Sequence, residues 1–179
     1  MRLFIAAWPP PEVLDRIEAL ERPDVAGLRW STRDQWHVTL RFLGELTGAA
    51  SLTESLEAWS AKEQPIPAVN HPVEATLGPA TAWFPGSRIL QVPVRGLDEL
   101  ALEVSEVTRS IGRAPERFSG HLTLARARGR GVPGSRARIL AGVPIEARWV
   151  VDELAVVAST PTPSGSRYEV VSRVALHRS

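Results

Sequence analysis

The chain has no cysteine and only one lysine, Lys62, among its 179 residues. Without cysteine it has no disulfides, no thiolate nucleophile and no cysteine-ligated zinc site. It also lacks a glycine-rich loop ending in lysine, so nucleoside triphosphate chemistry is not expected. Histidine is then the residue whose ordinary pKa lies close enough to neutral pH for proton transfer.

Strong net charge and long apolar runs are also missing. The net charge of +1 excludes binding to a polyanion by bulk charge, so any affinity for nucleic acid must come from a local patch. The first apolar segment, residues 1–8, ends at three prolines and is too short for a signal peptide or a membrane span. We therefore expect a globular cytoplasmic protein that makes no contact with a membrane.

Against these absences, one short motif occurs twice. A histidine is followed two residues later by a threonine in His37-Val38-Thr39 and again in His121-Leu122-Thr123. Alternate side chains of a strand share a face. Each His and Thr would then line a cleft, while Val38 and Leu122 pack in the core.

The same alternation makes predictions for the residues that follow each motif. It puts Arg41 on the face of His37 and Thr39, and Phe42 on the opposite face. It also puts Arg126 opposite His121, so Arg126 can reach the cleft only if the strand ends or bulges beyond Ala125.

The surroundings of the two motifs form a weak internal repeat. A strand from Arg2 is followed by an amphipathic helix and His37, and a strand from Arg88 is followed by an amphipathic helix and His121. The repeat predicts an α+β fold with two lobes in a pseudo-two-fold arrangement. Each lobe has an antiparallel sheet with flanking helices, and a central groove carries the two His-x-Thr strands. We interpret residues 1–179 as one catalytic domain whose motif units span about 1–48 and 87–128.

This pattern suits acid-base chemistry on a phosphodiester. One imidazole accepts a proton from water while the other donates one to the leaving oxygen, and threonine hydroxyls hold the anionic oxygens. No metal is needed for such a displacement, and the pair Asp152-Glu153 is a poor metal site because it offers no fixed third ligand. The less specific interpretations are that the threonines are strand formers and that the arginine-rich loop of residues 126–138 is solvated surface.

The chain also resembles a known family, the RNA 2′,3′-cyclic phosphodiesterases, also called 2′-5′ RNA ligases, of the two-histidine phosphoesterase superfamily. The resemblance spans nearly the whole sequence. It rests on the following segments: Arg2-Leu3-Phe4-Ile5-Ala6, Arg29-Trp30, His37-Val38-Thr39-Leu40-Arg41-Phe42-Leu43-Gly44, His121-Leu122-Thr123-Leu124-Ala125-Arg126 and Gly165-Ser166-Arg167-Tyr168.

The resemblance implies hydrolysis of a ribose 2′,3′-cyclic phosphate to a 2′-phosphomonoester, and reversible joining of RNA ends through 2′-5′ bonds. His37 would be the acid and His121 the base. The remaining candidate contacts to the phosphate or to the nucleobase of the substrate are Thr39, Thr123, Arg126, Arg41, Phe42 and Tyr168. The implied partners are RNA termini or 2′,3′-cyclic nucleotides, with no cofactor, no metal and no obligatory protein partner, and we expect a monomer.

Two other functions fit the same residues. The chain would be an RNA-binding module if the groove binds RNA ends without turnover. It would be a related phosphodiesterase if its substrate is another cyclic or 2′-5′ linked nucleotide. Turnover of a 2′,3′-cyclic nucleotide in the presence of a chelator would distinguish an enzyme from an RNA-binding module. Product analysis across a panel of substrates would identify a related phosphodiesterase.

Overall fold

The protein is described here by a computed structural model covering residues 1–62, 72–86, 88–128, 138–162 and 165–176. The predicted α+β class is confirmed, with a strongly curled antiparallel sheet and helices packed on one side of it. Within these residues no helix is long and apolar enough to cross a membrane.

The elements follow the predicted alternation of strands and helices. The strands are β1 (Arg2–Ala7), β2 (Leu28–Trp30), β3 (Val38–Glu45), β4 (Val73–Leu77), β5 (Ala82–Trp83), β6 (Ile89–Arg95), β7 (His121–Ala127), β8 (Ala147–Val151), β9 (Glu153–Thr162) and β10 (Gly165–Ala175). The helices are α1 (Pro11–Glu18), α2 (Ala50–Ser60) and α3 (Asp98–Val107), with a 3₁₀ turn at Arg33–Gln35.

The order of the strands reveals the two lobes. The main path of the sheet is β10-β9-β1-β3-β7-β6-β4-β8, with β2 beside β7 and β5 beside β6. In one lobe β1 lies between β3 and β9, and in the other β6 lies between β7 and β4. The two lobes exchange strands, because β4 follows the first motif but belongs to the second lobe, while β9 follows the second motif but belongs to the first.

The two lobes meet at the motif strands. Strands β3 and β7 are antiparallel and pair at Val38 with Leu122, the central residues of the two His-x-Thr motifs. This register brings His37 opposite Thr123 and Thr39 opposite His121. Beyond this point β3 pairs with β1 and β7 pairs with β6 and β2, so the sheet opens into a groove around the motifs.

The main core lies on the face of the sheet that the helices cover. Val13 and Ile17 of α1, Leu52 and Leu56 of α2 and Leu100 of α3 are fully or almost fully buried there. Their spacing of three or four residues places them on one side of each helix. The helices therefore cover one face and leave the other face, which we call the site face, for the groove.

The site face carries a second, smaller apolar cluster. Phe4 and Ala6 of β1 pack with Ala155 and Val157 of β9. Trp8, Phe42 and Tyr168 lie partly exposed against this cluster. The cluster therefore forms an apolar floor beneath one half of the groove.

Both motif strands contain a β-bulge at the same motif position. In β3 the pairing with β1 skips Leu40, and in β7 the pairing with β6 skips Leu124. An extra residue in one strand reverses the alternation of all side chains after it. The faces predicted for Arg41, Phe42 and Arg126 are therefore inverted.

Candidate active site

A polar pocket of about 140 Å³ lies where the two motifs meet. Its lining brings together most of the candidate residues and adds four others. It consists of Arg29, Ser31, Gln35, His37, Thr39, His121, Thr123, Arg126, Ser166 and Tyr168. Among the described residues that line it there is no carboxylate, so the site favours an anion.

His37 is held by a hydrogen bond on one side and by aromatic rings on the other. Its Nδ1 lies 2.8 Å from the carbonyl oxygen of Gln35, and a carbonyl can only accept. Nδ1 therefore carries the proton of the neutral ring, which leaves Nε2 to exchange a proton with a ligand. The ring stacks on Phe4 and Trp8 at centroid distances of 4.9 Å and meets Tyr168 edge-on at 5.0 Å.

His121 repeats this arrangement in the other lobe. Its Nδ1 lies 2.7 Å from the carbonyl oxygen of Ser119, again two residues earlier in the chain. Nε2 is again the nitrogen available to a ligand. One aromatic ring, Phe84, meets the imidazole edge-on at 4.8 Å. His121 is thus oriented like His37 but is less enclosed by aromatic rings.

The pKa values of the two histidines reflect this difference. The pKa of His37 is lowered to about 4, chiefly by burial and also by the positive charges of Arg126 and His121, against the opposing effect of the Gln35 hydrogen bond. Burial also lowers the pKa of His121, with a smaller contribution from Arg126. Both rings are therefore neutral at pH 7 in the free protein, and a bound anion would favour their protonation.

Two arginines face each other at one side of the pocket. Strands β2 and β7 pair Arg29 with Arg126, and both side chains line the pocket. The bulge at Leu124 places Arg126 on the same face of the sheet as His121. The sequence predicted that Arg126 could reach the cleft only through such an interruption of the strand. Like charges directly opposite each other in a sheet destabilise it, and an anion between them removes that cost.

A glycine makes room for Arg29. A Cβ atom added to Gly165 would lie 1.5 Å from Nη1 of Arg29, and Gly165 has a φ of +130°, which other residues rarely adopt. The carbonyl oxygen of the adjacent Ser166 accepts a hydrogen bond of 2.7 Å from Nε2 of Gln35. Strand β10 is thereby tied to the turn before His37 and closes one side of the pocket.

The structure places Arg41 away from the pocket, and this corrects the prediction from strand alternation. The bulge at Leu40 turns Arg41 to the core face, where it is only 3% exposed. Its guanidinium donates to the carbonyl oxygens of Ser105, Ile111 and Arg113 at 2.8, 3.0 and 2.9 Å, and also to the hydroxyl of Thr108. Arg41 therefore binds the end of α3 and the loop leading to β7.

Phe42 and Tyr168 lie on the site face, but in different positions. Tyr168 lines the pocket beside His37. Phe42, which alternation placed on the opposite face, reaches the site face after the bulge and lines a neighbouring depression. Most of the arginine-rich loop, residues 129–137, lies outside the described residues.

Sequence reasoning missed Arg29, Ser31, Gln35 and Ser166. Arg29 lies in β2, Ser31 directly after it, Gln35 in the 3₁₀ turn and Ser166 in β10. Arg29 and Ser166 reach the pocket through contacts between segments that are far apart in the sequence. Arg29 and Ser166 did fall in segments that carry the family resemblance. In the described part of the chain no three His, Cys, Asp or Glu side chains are grouped so that they could hold a metal ion.

The fold and the pocket resemble those of the two-histidine phosphoesterases, in which two His-x-Thr strands face each other across a groove. A family model described as LigT-like phosphoesterase matches residues 7–76. No match was found among curated protein sequences.

Solved structures extend this similarity over the whole chain. A Thermus thermophilus protein, TT0787, is 26% identical with a TM-score of 0.77 and 98% of each chain covered. LigT of Escherichia coli in complex with 3′-AMP is 27% identical with a TM-score of 0.70, covering 99% of this chain and 98% of the other. A complex of E. coli LigT with NADP⁺ matches at 25% identity and a TM-score of 0.68, covering 98% and 97%. The chain is therefore similar to the LigT-like phosphoesterases, in sequence over residues 7–76 and in fold over nearly its whole length.

Proposed function

We propose that the protein hydrolyses a ribose 2′,3′-cyclic phosphate to a 2′-phosphomonoester without a metal ion, by acid-base catalysis with two histidines. The observation that carries the proposal is the paired arrangement of His37 and His121. Each ring is fixed through Nδ1 and offers Nε2 to one polar pocket that has arginines and threonines but no carboxylate among its described lining residues.

Each part of the pocket has a role in the proposed reaction. The hydroxyls of Thr39 and Thr123 donate hydrogen bonds to the non-bridging oxygens, and Arg126 with Arg29 balances their charge. Nε2 of His121 takes a proton from water, whose oxygen attacks phosphorus as the bond to the 3′ oxygen breaks. Nε2 of His37 gives its proton to that 3′ oxygen. Tyr168 packs beside His37 and borders the ribose or the base.

A different nucleophile gives the second activity of this proposal. When the 5′ hydroxyl of an RNA replaces water, the same two proton transfers produce a 2′-5′ phosphodiester. The attacking hydroxyl then loses its proton to His121, and His37 again protonates the departing 3′ oxygen. Hydrolysis and reversible joining of RNA ends therefore require one pocket and one pair of histidines.

The nucleotide complexes of E. coli LigT support this choice of ligand. NADP⁺ carries a phosphate on the 2′ oxygen of its adenosine ribose, which is also where the proposed product carries its phosphate. We propose RNA ends or 2′,3′-cyclic nucleotides as the substrates, and we expect a cytoplasmic monomer with no protein partner. The exchange of strands between the lobes supports one catalytic domain over residues 1–179.

The test of this function is turnover in the presence of a chelator. Wild-type protein with excess EDTA is expected to convert a 2′,3′-cyclic nucleotide to the 2′-phosphate, identified against the 3′-phosphate by chromatography. A His37→Ala, His121→Ala double variant purified in parallel is the control for contaminating nucleases. Equal product from this variant would refute the proposal, and an absence of product from both would favour an RNA-binding module.

The pH dependence of kcat/KM gives a second prediction. In the free protein the acid, His37, is charged mainly below about pH 4, because its pKa is about 4, and the base, His121, is lost when it becomes protonated at low pH. Above pH 6.5 both are neutral and no acid remains, because the pKa of His121 is also lowered from 6.5. We therefore expect a bell-shaped profile with its maximum on the acid side of pH 6.5, measured from initial rates.

The kcat profile should lie at higher pH than the kcat/KM profile. The bound phosphodiester is an anion, so it stabilises the charged form of each imidazole and raises both pKa values in the complex. A kcat/KM that rises steadily to pH 9 with no alkaline limb would contradict the pairing of one acid with one base.

A further inference from the structure

Next to the catalytic pocket the site face has a second depression, which the proposed reaction does not use. Its lining includes Arg2, Phe42, Glu45 and Arg113, together with Ser159 and Thr160 at the end of β9. Phe42 faces it because the bulge at Leu40 reverses the strand, so Phe42 occupies the motif position that Arg126 occupies in the other lobe. The two lobes therefore differ at this position, with an aromatic ring in one and a guanidinium in the other.

Two guanidinium groups lie over the ring of Phe42. The central carbon atoms of the Arg2 and Arg113 guanidinium groups are 5.5 and 5.9 Å from the ring centroid. Arg113 reaches the ring by crossing Gly44, where an added Cβ would lie 2.9 Å from the Cδ of Arg113 and where φ is +78°. The side-chain space of Gly44 is thus occupied by an arginine that comes from the loop after α3.

These arginines keep their donors accessible. Arg2 is 3.7 Å from Glu45, and Arg113 is 3.1 Å from Glu116, and the four side chains are between 46% and 73% exposed. Exposed ion pairs of this kind contribute little and are readily replaced by another anion. The cluster therefore offers the ring of Phe42 and two exposed guanidinium groups, each of which lies beside one exposed carboxylate.

The depression lies beside the catalytic pocket on the site face. Ser159 lines the depression and is the pairing partner of Tyr168, which lines the catalytic pocket. Phe42 and Tyr168 also pack on the same apolar cluster of the site face. Along β3, Phe42 is three residues beyond Thr39, a distance of at most about 10 Å of extended chain.

We propose that this depression binds the nucleotide immediately 5′ to the ribose that carries the cyclic phosphate, so that the preferred substrate is an RNA 3′ end of two or more nucleotides. The inference rests on the proposed function. When the cyclic phosphate occupies both the 2′ and 3′ oxygens of the terminal ribose, a chain can continue only from its 5′ side. The preceding base stacks on Phe42 or a guanidinium plane, and the linking phosphodiester is held by Arg113 and Arg2.

The test compares a 2′,3′-cyclic mononucleotide with a dinucleotide that ends in the same cyclic phosphate. Wild type should have a kcat/KM about tenfold or more higher for the dinucleotide, since stacking of one base contributes a factor of this size. Phe42→Leu and Arg113→Gln should each reduce the ratio of the two kcat/KM values towards one, mainly through the KM of the dinucleotide. Arg148→Gln, an exposed arginine of β8 outside the groove, is the matched control and should leave the ratio unchanged.

The inference would be overturned if the ratio of the two kcat/KM values is near one in wild type, or if neither Phe42→Leu nor Arg113→Gln changes it. If neither substrate is turned over, the proposed function fails, and equilibrium binding then tests the depression alone. A dinucleotide with a terminal 2′-phosphate should bind about tenfold tighter than the mononucleotide 2′-phosphate, and Phe42→Leu should abolish that difference. Equal binding of the two by wild type would again overturn the inference.

Discussion

Replacing His37 with glutamine is expected to lower kcat for a 2′,3′-cyclic phosphate by about 10²- to 10⁴-fold, the usual contribution of a general acid. Glutamine fills much of the space of the ring between Phe4, Trp8 and Tyr168, but its amide does not titrate near neutral pH and cannot act as a general acid. His121→Gln should cause a loss of similar size, because the attacking water then keeps its proton.

The two roles are separated by a substrate whose 3′ oxygen is replaced by sulfur. A thiolate is a far better leaving group than an alkoxide, with a pKa of about 8.5 for a typical thiol, and it departs without protonation. On this substrate His37→Gln should lose less than about tenfold relative to wild type, whereas His121→Gln should still lose about 10²- to 10⁴-fold. If the sulfur substrate restores the activity of His121→Gln instead, the two roles are exchanged. If it restores the activity of neither variant, there is no general acid in this pocket.

Replacing Arg41 with methionine is expected to destabilise the protein by about 3 kcal/mol or more. The guanidinium is almost fully buried, and its removal leaves the carbonyl oxygens of Ser105, Ile111 and Arg113 without this donor. Each buried carbonyl that loses its partner costs about 1 to 3 kcal/mol. For a chain of this size the melting temperature should fall by about 6 to 12 °C.

Urea unfolding of Arg41→Met, followed by circular dichroism, measures this loss, with Arg148→Met as the control. Arg148 is an exposed arginine whose side chain lies 3.8 Å from Glu74, so its replacement should change the free energy of unfolding by less than about 1 kcal/mol. If Arg41→Met unfolds at the same urea concentration as the control, then Arg41 does not hold the end of α3 as the contacts indicate.

Local patterns predicted the α+β fold and the meeting of the two histidines in one pocket. The His-x-Thr spacing is too short for a bulge to intervene, so alternation correctly gives each histidine and its threonine one face. Each bulge occurs one residue after the threonine, at Leu40 or Leu124, and from there alternation gives the wrong face. A bulge depends on how the strand pairs with its neighbours, and neither leucine differs from an ordinary strand residue in the sequence.

Arg41 and Arg126 show how a bulge defeats prediction from strand alternation. Alternation alone puts Arg41 in the cleft and Arg126 outside it, and the structure has the reverse. Arg29 was missed for a related reason, since its place in the pocket depends on the pairing of β2 with β7, about a hundred residues away along the chain. Only long-range pairing decides which arginines reach the pocket.

The exchange of strands between the lobes has a consequence for synthesis on the ribosome. Strand β1 leaves the exit tunnel long before β9, yet it lies in the interior of the sheet between β3 and β9. One edge of β1 therefore stays open until β9 has been translated, and the first lobe cannot be completed earlier. During that interval an apolar strand edge is exposed to other nascent chains, so the late synthesis of β9 makes aggregation before release the characteristic risk of this topology.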